Sequence, residues 1–255
     1  MTHLRVMTFN VRQMDGDDGD HAWEKRKDIL VETILLHQPH LLATQEIFAE
    51  QAAYILRHCP GLSCFGRGRY GDDHDKHNSI FYDREQLFLL DCGEVWFSQT
   101  PEVPGSSDWG ISRPRMITWG LLRALDGHEI FTMSTHFPYG RNAGAARLQA
   151  ARLVLEKLAT LPPTLPVLLS GDFNAQAGEE VYQTLTSKLQ DAWTTAETRV
   201  GPEGTVHGFG RFVGGRIDWI LSRNAGRVLS AQTVTYTARG LYPSDHYPVC
   251  ATFER

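Results

Sequence analysis

The amino-acid sequence predicts an α/β fold in which helices flank two layered β-sheets. Two observations on this chain of 255 residues lead there. Short runs rich in β-branched and aromatic residues outnumber the segments with helical periodicity, and many of these runs follow one another with short connections. That arrangement favours layered sheets over a doubly wound parallel sheet. With 42% hydrophobic residues the chain can bury a large core, and we expect one domain over residues 1–255.

The predicted elements are ten strands and four helices. The strands are the β-rich runs at residues 4–9, 41–45, 79–82, 87–97, 116–123, 130–135, 167–170, 217–221, 228–236 and 247–253. Apolar residues at helical spacing predict helices over 23–36, 48–57, 145–158 and around 179–188. Pro39 ends the first helix, because a proline ring disfavours helix at the residue before it.

Composition limits the partners and the compartment that we expect. The formal net charge of −5 offers no general attraction to a polyanion, so tight nonspecific nucleic-acid binding is not expected. The N-terminus lacks the pattern of a secretory signal, no apolar run is long enough to span a bilayer, and the four cysteines show neither disulfide-framework nor zinc spacing. We therefore expect a cytoplasmic protein with reduced thiols and no membrane span.

Polar residues cluster immediately after the apolar runs. Five strand-like segments end in a carboxylate, a carboxamide or an imidazole, the groups that suit hard cations and the activation of water. Taken singly, each such residue is most often a turn residue or a helix cap. Five in one chain indicate one site, whose candidate members are Asn10, Glu46, His136, Asp172, Asn174, Asp218, Asp245 and His246.

These segments carry a resemblance to a known family. TFNVR, TQE, NSIFYD, RPRMITW, STHF, SGDFN, RIDWI and SDHYPV stand in the order found in the endonuclease/exonuclease/phosphatase superfamily, the deoxyribonuclease I-like proteins. GDFN with the terminal SDH is the most specific combination, and WEKRKD, SQTPEVPGS, PEGTVHGF and YPSDHYPV resemble a small uncharacterised bacterial branch. The resemblance implies a four-layer α/β/β/α sandwich of two mixed β-sheets flanked by helices, and a phosphoric ester hydrolase that depends on Mg²⁺ or Mn²⁺.

The resemblance also implies a role for each core residue. Glu46 is the principal metal-binding carboxylate, with Asn10 and Asp245 close to the cation. A hard cation such as Mg²⁺ prefers oxygen ligands and keeps several waters, so few protein ligands suffice. Whether one metal or two bind is left open.

The same resemblance assigns the catalytic groups. Asp172 orients and deprotonates the attacking water, and Asn174 holds that water or a phosphoryl oxygen. His246 contacts the phosphate, with Asp218 fixing its tautomer and favouring its charged form. His136 lies on the opposite side as a phosphate ligand or a proton donor, and which histidine protonates the leaving group stays open.

Five further residues are predicted to bind substrate. Arg115 is a phosphate clamp, because a guanidinium offers a rigid fork of donors. Asn78 supports His136 or the substrate, and Trp109 stacks on an organic leaving group or packs on the rim. Many relatives carry an acidic residue shortly after STHF, whereas Tyr139 and Arg141 follow here, as rim residues or as parts of a surface loop.

Residues 67–77 mix basic and aromatic side chains with three aspartates. Interleaved aspartates repel phosphate, so we interpret this stretch as a solvated, mobile loop in preference to a nucleic-acid contact.

Three functions fit these observations. The leading one is hydrolysis of a phosphodiester or phosphomonoester of a sugar, inositol, glycerol or lipid headgroup. The alternative is an endonuclease or exonuclease acting on DNA or RNA, with nucleic acid the less favoured substrate and no obligate protein partner evident. The third is a binding scaffold without catalytic activity. It conflicts with the eight polar residues retained at the strand ends, because a scaffold could keep the fold without those residues.

Overall fold

The central strands carry apolar side chains on both faces, so each sheet requires a layer on either side. Strand β1 (His3–Asn10) is the clearest case. Leu4 and Val6 point into one apolar core, whereas Met7 and Phe9 point into another. Because side chains alternate along a strand, β1 must lie between two cores.

The structure, a computed structural model, describes residues 2–254. The remaining strands are β2 (Leu41–Gln45), β3 (Leu62–Phe65), β4 (Ile80–Asp83), β5 (Leu87–Trp96), β6 (Met116–Ala124), β7 (Glu129–His136), β8 (Val167–Asp172), β9 (Gln190–Asp191), β10 (Thr198–Val200), β11 (Asp218–Arg223), β12 (Arg227–Thr233) and β13 (Val249–Glu254). The helices are α1 (Trp23–His37), α2 (Ala49–His58), α3 (Gly144–Ala159), α4 (Glu180–Thr186) and α5 (Ala192–Thr195), with a 3-10 turn at Gly19–His21. None of the helices within residues 2–254 has the length and apolar character needed to cross a membrane.

The strands form two mixed sheets. The first has seven strands in the order β10-β12-β13-β1-β2-β4-β3, and the second has six in the order β5-β6-β7-β8-β11-β9. In the first sheet β1 pairs with β2 in parallel and with β13 antiparallel. In the second, β8 pairs with β7 in parallel and with β11 antiparallel.

Three apolar cores separate four layers. The middle core joins the two sheets through side chains such as Leu41, Leu168 and Phe253. One outer core packs α1 and α2 on the first sheet, and the other packs α3 and α4 on the second. The α/β/β/α sandwich of two mixed sheets is thereby confirmed.

All ten predicted strands and four predicted helices are present, with ends shifted by up to three residues. The elements that were missed are short or lie at a sheet edge. Strand β10 is exposed along its length and β3 is only partly buried, so neither shows the apolar pattern of a buried strand. Strand β9 has two residues and α5 has four, too few to show a period.

Strand direction brings the polar strand ends to one rim of the sandwich. Strands β1 and β2 run in parallel and end together, as do β7 and β8. The antiparallel neighbours begin where these end, so Asp218 at the start of β11 pairs with Asp172 at the end of β8. Residues far apart in the chain therefore meet at this rim.

Arg26 ties together the segments that leave this rim. It lies on α1 and is fully buried, and its guanidinium donates to five backbone carbonyls, those of Val11, Arg12, Gln13, His21 and Pro243. Burial lowers the pKa of Arg26 to about 10, which leaves it charged at neutral pH. A single side chain thus fixes the chain after β1 and the chain before β13.

Replacing Arg26 by methionine keeps most of its volume and removes all five bonds. We expect Arg26→Met to lower the free energy of unfolding by about 3–5 kcal/mol, because several buried carbonyls lose their donor. Urea unfolding measures the change, with Arg57→Met on the exposed face of α2 as the control, expected to stay within about 0.5 kcal/mol. Equal losses in the two variants would contradict this account.

His40 is a buried histidine held neutral by its surroundings. Its Nδ1 accepts a hydrogen bond of 3.0 Å from the backbone N–H of Arg5. Burial, together with the nearby Arg5 charge, lowers the pKa of His40 to about 4, against the attraction of Asp83. The folded chain therefore disfavours protonation at this site.

The pKa of His40 is lower in the folded chain than its ordinary value of 6.5. The stabilisation is therefore complete above about pH 6.5 and is lost as the pH falls toward the folded pKa. Between pH 7 and pH 5 we expect the free energy of unfolding to fall by about 1–2 kcal/mol more in the wild type than in His40→Asn. Urea unfolding at both pH values tests this, and parallel pH profiles would refute it.

Candidate active site

A cavity of about 790 Å³ opens at the rim where the strand ends meet. Ten of the residues predicted from the sequence line it: Glu46, Trp109, Arg115, His136, Tyr139, Arg141, Asp172, Asn174, Asp245 and His246. The other three, Asn10, Asn78 and Asp218, are buried and make hydrogen bonds close to it. The structure therefore gathers residues from the whole chain around one space.

Asp172 lies at the centre of the polar cluster. The Nδ2 of Asn10 donates to its Oδ2 at 3.1 Å, and the backbone N–H of Asn174 donates to its Oδ1 at 2.9 Å. His136 Nε2 lies 3.3 Å from Oδ2. Burial, and then the charge of Asp218, raise the pKa of Asp172 to about 7. A carboxylate so perturbed is a stronger base than an exposed one.

His246 and Asp218 form a buried ion pair behind Asp172. His246 Nδ1 lies 2.9 Å from Asp218 Oδ2. Although burial lowers the pKa of His246, the Asp218 carboxylate outweighs it, and Asp172 and Asp245 act in the same direction. The pKa of His246 is raised to about 10, so the imidazole is cationic at neutral pH.

His136 has the opposite character. It is buried at the end of β7, and burial lowers its pKa well below 6.5, helped by the charges of Arg115 and Arg69. The two histidines thus differ in charge because only His246 has an ion-pair partner that outweighs burial.

The backbone is left-handed at four non-glycine residues that line the cavity, Arg12, Glu46, Trp109 and Asn174. Glu46 and Asn174 have φ angles of 60° and 48°, in the left-handed region. Asparagine tolerates this conformation, whereas for glutamate it costs on the order of 1 kcal/mol. The turn after β2 brings Glu46 to the cavity, as the turn after β8 does for Asn174.

The predicted metal ligands offer only oxygen atoms. Glu46 Oε2 makes two long contacts of 3.4 Å, to the Nζ of Lys76 and the backbone N–H of Gln13. Asn10 Oδ1 accepts one bond, from the backbone N–H of Arg12, and an amide oxygen has a second lone pair. Glu46, Asp245 and Asn10 therefore fit a hard divalent cation.

A second group is also close enough to hold an ion. Ligand atoms of Asp172, Asp218 and His246 lie within 4.8 Å of one another, and Asp218 Oδ1 is buried without a hydrogen-bond partner. Hard cations such as Mg²⁺ prefer oxygen ligands, however, and this group includes the imidazole of His246, whose Nδ1 is already engaged with Asp218. The donor set of Glu46, Asn10 and Asp245 is therefore the better fit.

The predicted substrate-binding residues occupy different parts of the cavity. Arg115 is half-buried, and burial, with the charge of Arg69, lowers its pKa to about 10. Trp109 lines the cavity beside it and also packs on the outer core, whereas Tyr139 and Arg141 stand exposed at the mouth. Arg147 of α3 holds their loop by donating to the carbonyls of Pro138 and Gly140.

Asn78 does not line the cavity. Its Nδ2 donates to the carbonyl of Met116, which also accepts a bond from the hydroxyl of Thr135. Asn78 thus braces the strand ends that carry Arg115 and His136.

The expectation of a solvated loop at residues 67–77 was wrong for two of its cations. Arg69 is 5% exposed and Lys76 is largely buried, and both line the cavity. Asp75 lies 3.4 Å from Arg69, and the Nε1 of Trp96 donates to the carbonyl of Arg69. Asp75, one of the aspartates expected to repel phosphate, instead neutralises Arg69 of the same loop. No local sequence pattern indicates this ion pair.

Similarity to known proteins agrees with this geometry. A sequence profile of the Endonuclease/Exonuclease/phosphatase family matches residues 7–246. The chain belongs to this family. Its fold is therefore that of a family of phosphoesterase and nuclease hydrolases.

Two solved structures of this family cover nearly all of the chain. A family member from Bacteroides thetaiotaomicron is 30% identical with a TM-score of 0.93, over 100% of this chain and 99% of that one. A mannosyl-6-phosphatase of the same organism is 30% identical with a TM-score of 0.90, over 97% and 98%.

The curated relatives are more distant. Nocturnin of Drosophila melanogaster is 26% identical over 64% of this chain and 26% of its own length. Tyrosyl-DNA phosphodiesterase 2 of Mus musculus is 22% identical over 74% of this chain and 46% of its length. The chain thus spans between a quarter and a half of the length of these relatives.

Thr205 is a member of the cluster that the sequence interpretation missed. It is fully buried, and its hydroxyl donates to Asp218 Oδ2 at 2.6 Å while accepting bonds from the backbone N–H groups of Ile217 and Asp218. The hydroxyl of Thr205 thereby holds in place the Asp218 Oδ2 that pairs with His246. Thr205 lies in a loop, and only its place in the segment PEGTVHGF set it apart in the sequence.

We expect Thr205→Val, which keeps the shape and removes the hydroxyl, to lower kcat roughly tenfold, the effect of losing one hydrogen bond to a charged group. KM should change little, because Thr205 does not line the cavity. Steady-state hydrolysis of p-nitrophenyl phosphate esters measures both constants, and ¹⁵N NMR of His246 reports its protonation. Thr205→Ser is the control and should retain activity; a loss of stability with kcat unchanged would contradict the positioning role.

Proposed function

We propose that this protein is a divalent-metal-dependent phosphoesterase that hydrolyses a phosphomonoester or phosphodiester of a small organic molecule, such as a sugar, inositol, glycerol or lipid headgroup. The observation that carries the proposal is a buried carboxylate of raised pKa, Asp172, in a cavity whose basic side chains outnumber its acidic ones. The similarity to a mannosyl-6-phosphatase supports a small phosphoester.

Asp172 acts as the general base in this proposal. The bonds from Asn10 and from the backbone of Asn174 hold its carboxylate in one orientation, so its lone pairs face a fixed direction. Asn174 Nδ2 is engaged with the carbonyl of Phe137, which leaves its Oδ1 to hold the water. A base with a pKa of about 7 takes a proton from water more readily than an ordinary carboxylate.

The two histidines bind the phosphoryl group in different ways. Cationic His246 offers a charged donor to a non-bridging oxygen, and its ion pair with Asp218 keeps it protonated. His136 is neutral and lies beside Asp172, so it acts as a hydrogen-bonding ligand of the phosphoryl group. Its lowered pKa argues against a role as the proton donor.

Glu46, Asn10 and Asp245 would hold Mg²⁺ or Mn²⁺. When bound, the cation would polarise the phosphoryl group and offset the negative charge that develops there. Lys76 and Arg12 lie beside these ligands, at 3.4 Å from Glu46 and 3.9 Å from Asp245, and offer their charges to the substrate.

A nuclease is the second candidate. The curated relatives include a tyrosyl-DNA phosphodiesterase, and exposed Tyr139 and Phe212 at the mouth offer rings on which bases can stack. The net charge of −5 and the small volume of the cavity favour a small substrate.

The test is hydrolysis of bis-p-nitrophenyl phosphate, p-nitrophenyl phosphate and a short DNA or RNA oligonucleotide, with Mg²⁺, Mn²⁺ or chelator. We expect turnover of an aryl ester that chelator abolishes and that Asp172→Asn lowers roughly 10²- to 10⁴-fold, the contribution of a general base. Asp20→Asn, whose side chain is 91% exposed, is the matched control and should keep full activity.

Oligonucleotide cleavage without aryl-ester turnover would instead favour the nuclease. Absence of turnover together with absence of Mn²⁺ binding would refute the proposal.

A further inference from the structure

Two loops pack against each other along one side of the cavity. We call residues 66–77 and 97–115 the cationic wall. The Nε1 of Trp96, at the end of β5, donates to the carbonyl of Arg69 at 2.6 Å. Gly71 approaches Pro104 so closely that a Cβ on Gly71 would come within 2.5 Å of the proline ring, and Gly105 lies against Tyr70. These contacts close the space between the two loops.

The second of these loops is also braced from within. The hydroxyls of Ser98 and Ser106 are hydrogen-bonded at 2.7 Å, and Asp108 accepts a bond from the backbone N–H of Gln99. The first loop is fastened at its end, where the backbone N–H of His77 donates to the carbonyl of Ile47. The wall is therefore a fixed boundary of the cavity.

The cationic wall carries four basic side chains that line the cavity: Arg69, Lys76, Arg113 and Arg115. Two of them have a carboxylate partner, since Asp75 lies 3.4 Å from Arg69 and Glu46 lies 3.4 Å from Lys76. Within residues 2–254, the guanidinium groups of Arg113 and Arg115 have neither a carboxylate at ion-pair distance nor a hydrogen-bond acceptor.

The positive charges of these four side chains repel one another. Burial lowers the pKa of Arg69, Lys76 and Arg115, and in each case a neighbouring arginine lowers it further. Metal binding at Glu46 would also take from Lys76 its carboxylate partner. Unpaired cations that face one cavity are stabilised by an anion that brings more than one negative charge.

The closed wall and its charge bear on the kind of ester. A phosphodiester carries one negative charge, and its second ester chain occupies one of the three positions beside the line between the attacking water and the leaving oxygen. A phosphomonoester carries up to two charges and presents three oxygens without a substituent. From the closed wall and its two unpaired arginines, we infer that the substrate is a phosphomonoester dianion whose terminal oxygens face the cationic wall.

This inference rests on the proposed phosphoesterase function and narrows it to a phosphatase. In the reaction, the bond between phosphorus and the leaving oxygen breaks and a bond from phosphorus to the water oxygen forms. Asp172 takes one proton of the water, and a proton ends on the leaving oxygen, giving an alcohol and inorganic phosphate. Arg113 and Arg115 balance the charge of the transferring group.

Binding of two uncleavable ligands tests the charge preference without turnover. Phenylphosphonate, at a pH where it is a dianion, and its monomethyl ester, a monoanion, differ by one charge and one methyl group. By isothermal titration calorimetry with Mg²⁺ present, we expect wild type to bind the dianion at least tenfold more tightly. In Arg113→Gln this preference should fall roughly tenfold, the effect of one lost charge-assisted bond, and in Arg69→Gln it should fall less, because Asp75 already offsets the charge of Arg69.

Arg67→Gln is the matched control, because Arg67 lies in the same loop, is exposed and does not line the cavity. Arg113 is exposed as well, so Arg113→Gln reports even where the buried Arg69→Gln fails to fold. Equal affinity of wild type for the two ligands would overturn the inference. So would a preference that Arg113→Gln leaves unchanged.

Turnover separates this inference from the proposed function. With p-nitrophenyl phosphate and methyl p-nitrophenyl phosphate, which share a leaving group, we expect kcat/KM to favour the monoester. We expect the wall variants to lower kcat/KM more for the monoester than for the methyl ester. If the wild type hydrolyses the methyl ester with the higher kcat/KM, the inference of a phosphomonoester substrate is overturned and the proposed phosphoesterase function stands. If the protein binds the dianion more tightly than the monoanion but hydrolyses neither ester, the proposed phosphoesterase function is overturned and the charge preference of the cationic wall stands.

Discussion

The hydrogen bond from Asn10 to Asp172 joins the last residue of one central strand to the last residue of another, across the two sheets. A carboxylate with 2% exposure is unfavourable unless polar groups surround it, and each sheet supplies some of them. The middle core must therefore end where β1 and β8 end, and a polar layer must begin there. The positions of His136 and Asp218 follow, because both pair with Asp172 in the second sheet.

A second group of hydrogen bonds joins the two sheets below the cavity. Gln45 is fully buried at the end of β2, and its Nε2 donates to the hydroxyls of Thr8 in the same sheet and Ser134 in the other. The Ser134 hydroxyl in turn donates to the carbonyl of Thr44. These bonds fix the spacing of the sheets below the cavity. Glu46, one residue after Gln45, and His136, two residues after Ser134, therefore keep a defined separation.

Charge in the site is arranged so that neighbouring groups hold different protonation states. The Asp218 carboxylate keeps His246 cationic, and burial and then the charge of Asp218 raise the pKa of Asp172. Burial, together with the charges of Arg115 and Arg69, keeps His136 neutral. One buried carboxylate thus sets the state of both a donor and a base, and Thr205 fixes that carboxylate through a bond of 2.6 Å.

The sequence by itself determined the layers, the family and the core of the site. The short apolar runs of β1 and β8 and the helical stripe of α3 depend on neighbours in the chain, and so they are visible locally. The polar residues that end strands are also visible locally, because the sequence changes from apolar to polar where a strand ends at Asn10 or Asp172.

Tertiary structure alone decided which of the remaining side chains belong to the cavity. Arg69 and Lys76 stand in a loop whose aspartates suggested solvent exposure, and Thr205 stands in a loop without the periodicity of a strand or helix. Their burial depends on contacts with Trp96, Glu46 and Asp218, which lie 13 to 30 residues away in the chain. Such contacts arise from the packing of whole loops, and packing between distant segments leaves no period in the local sequence.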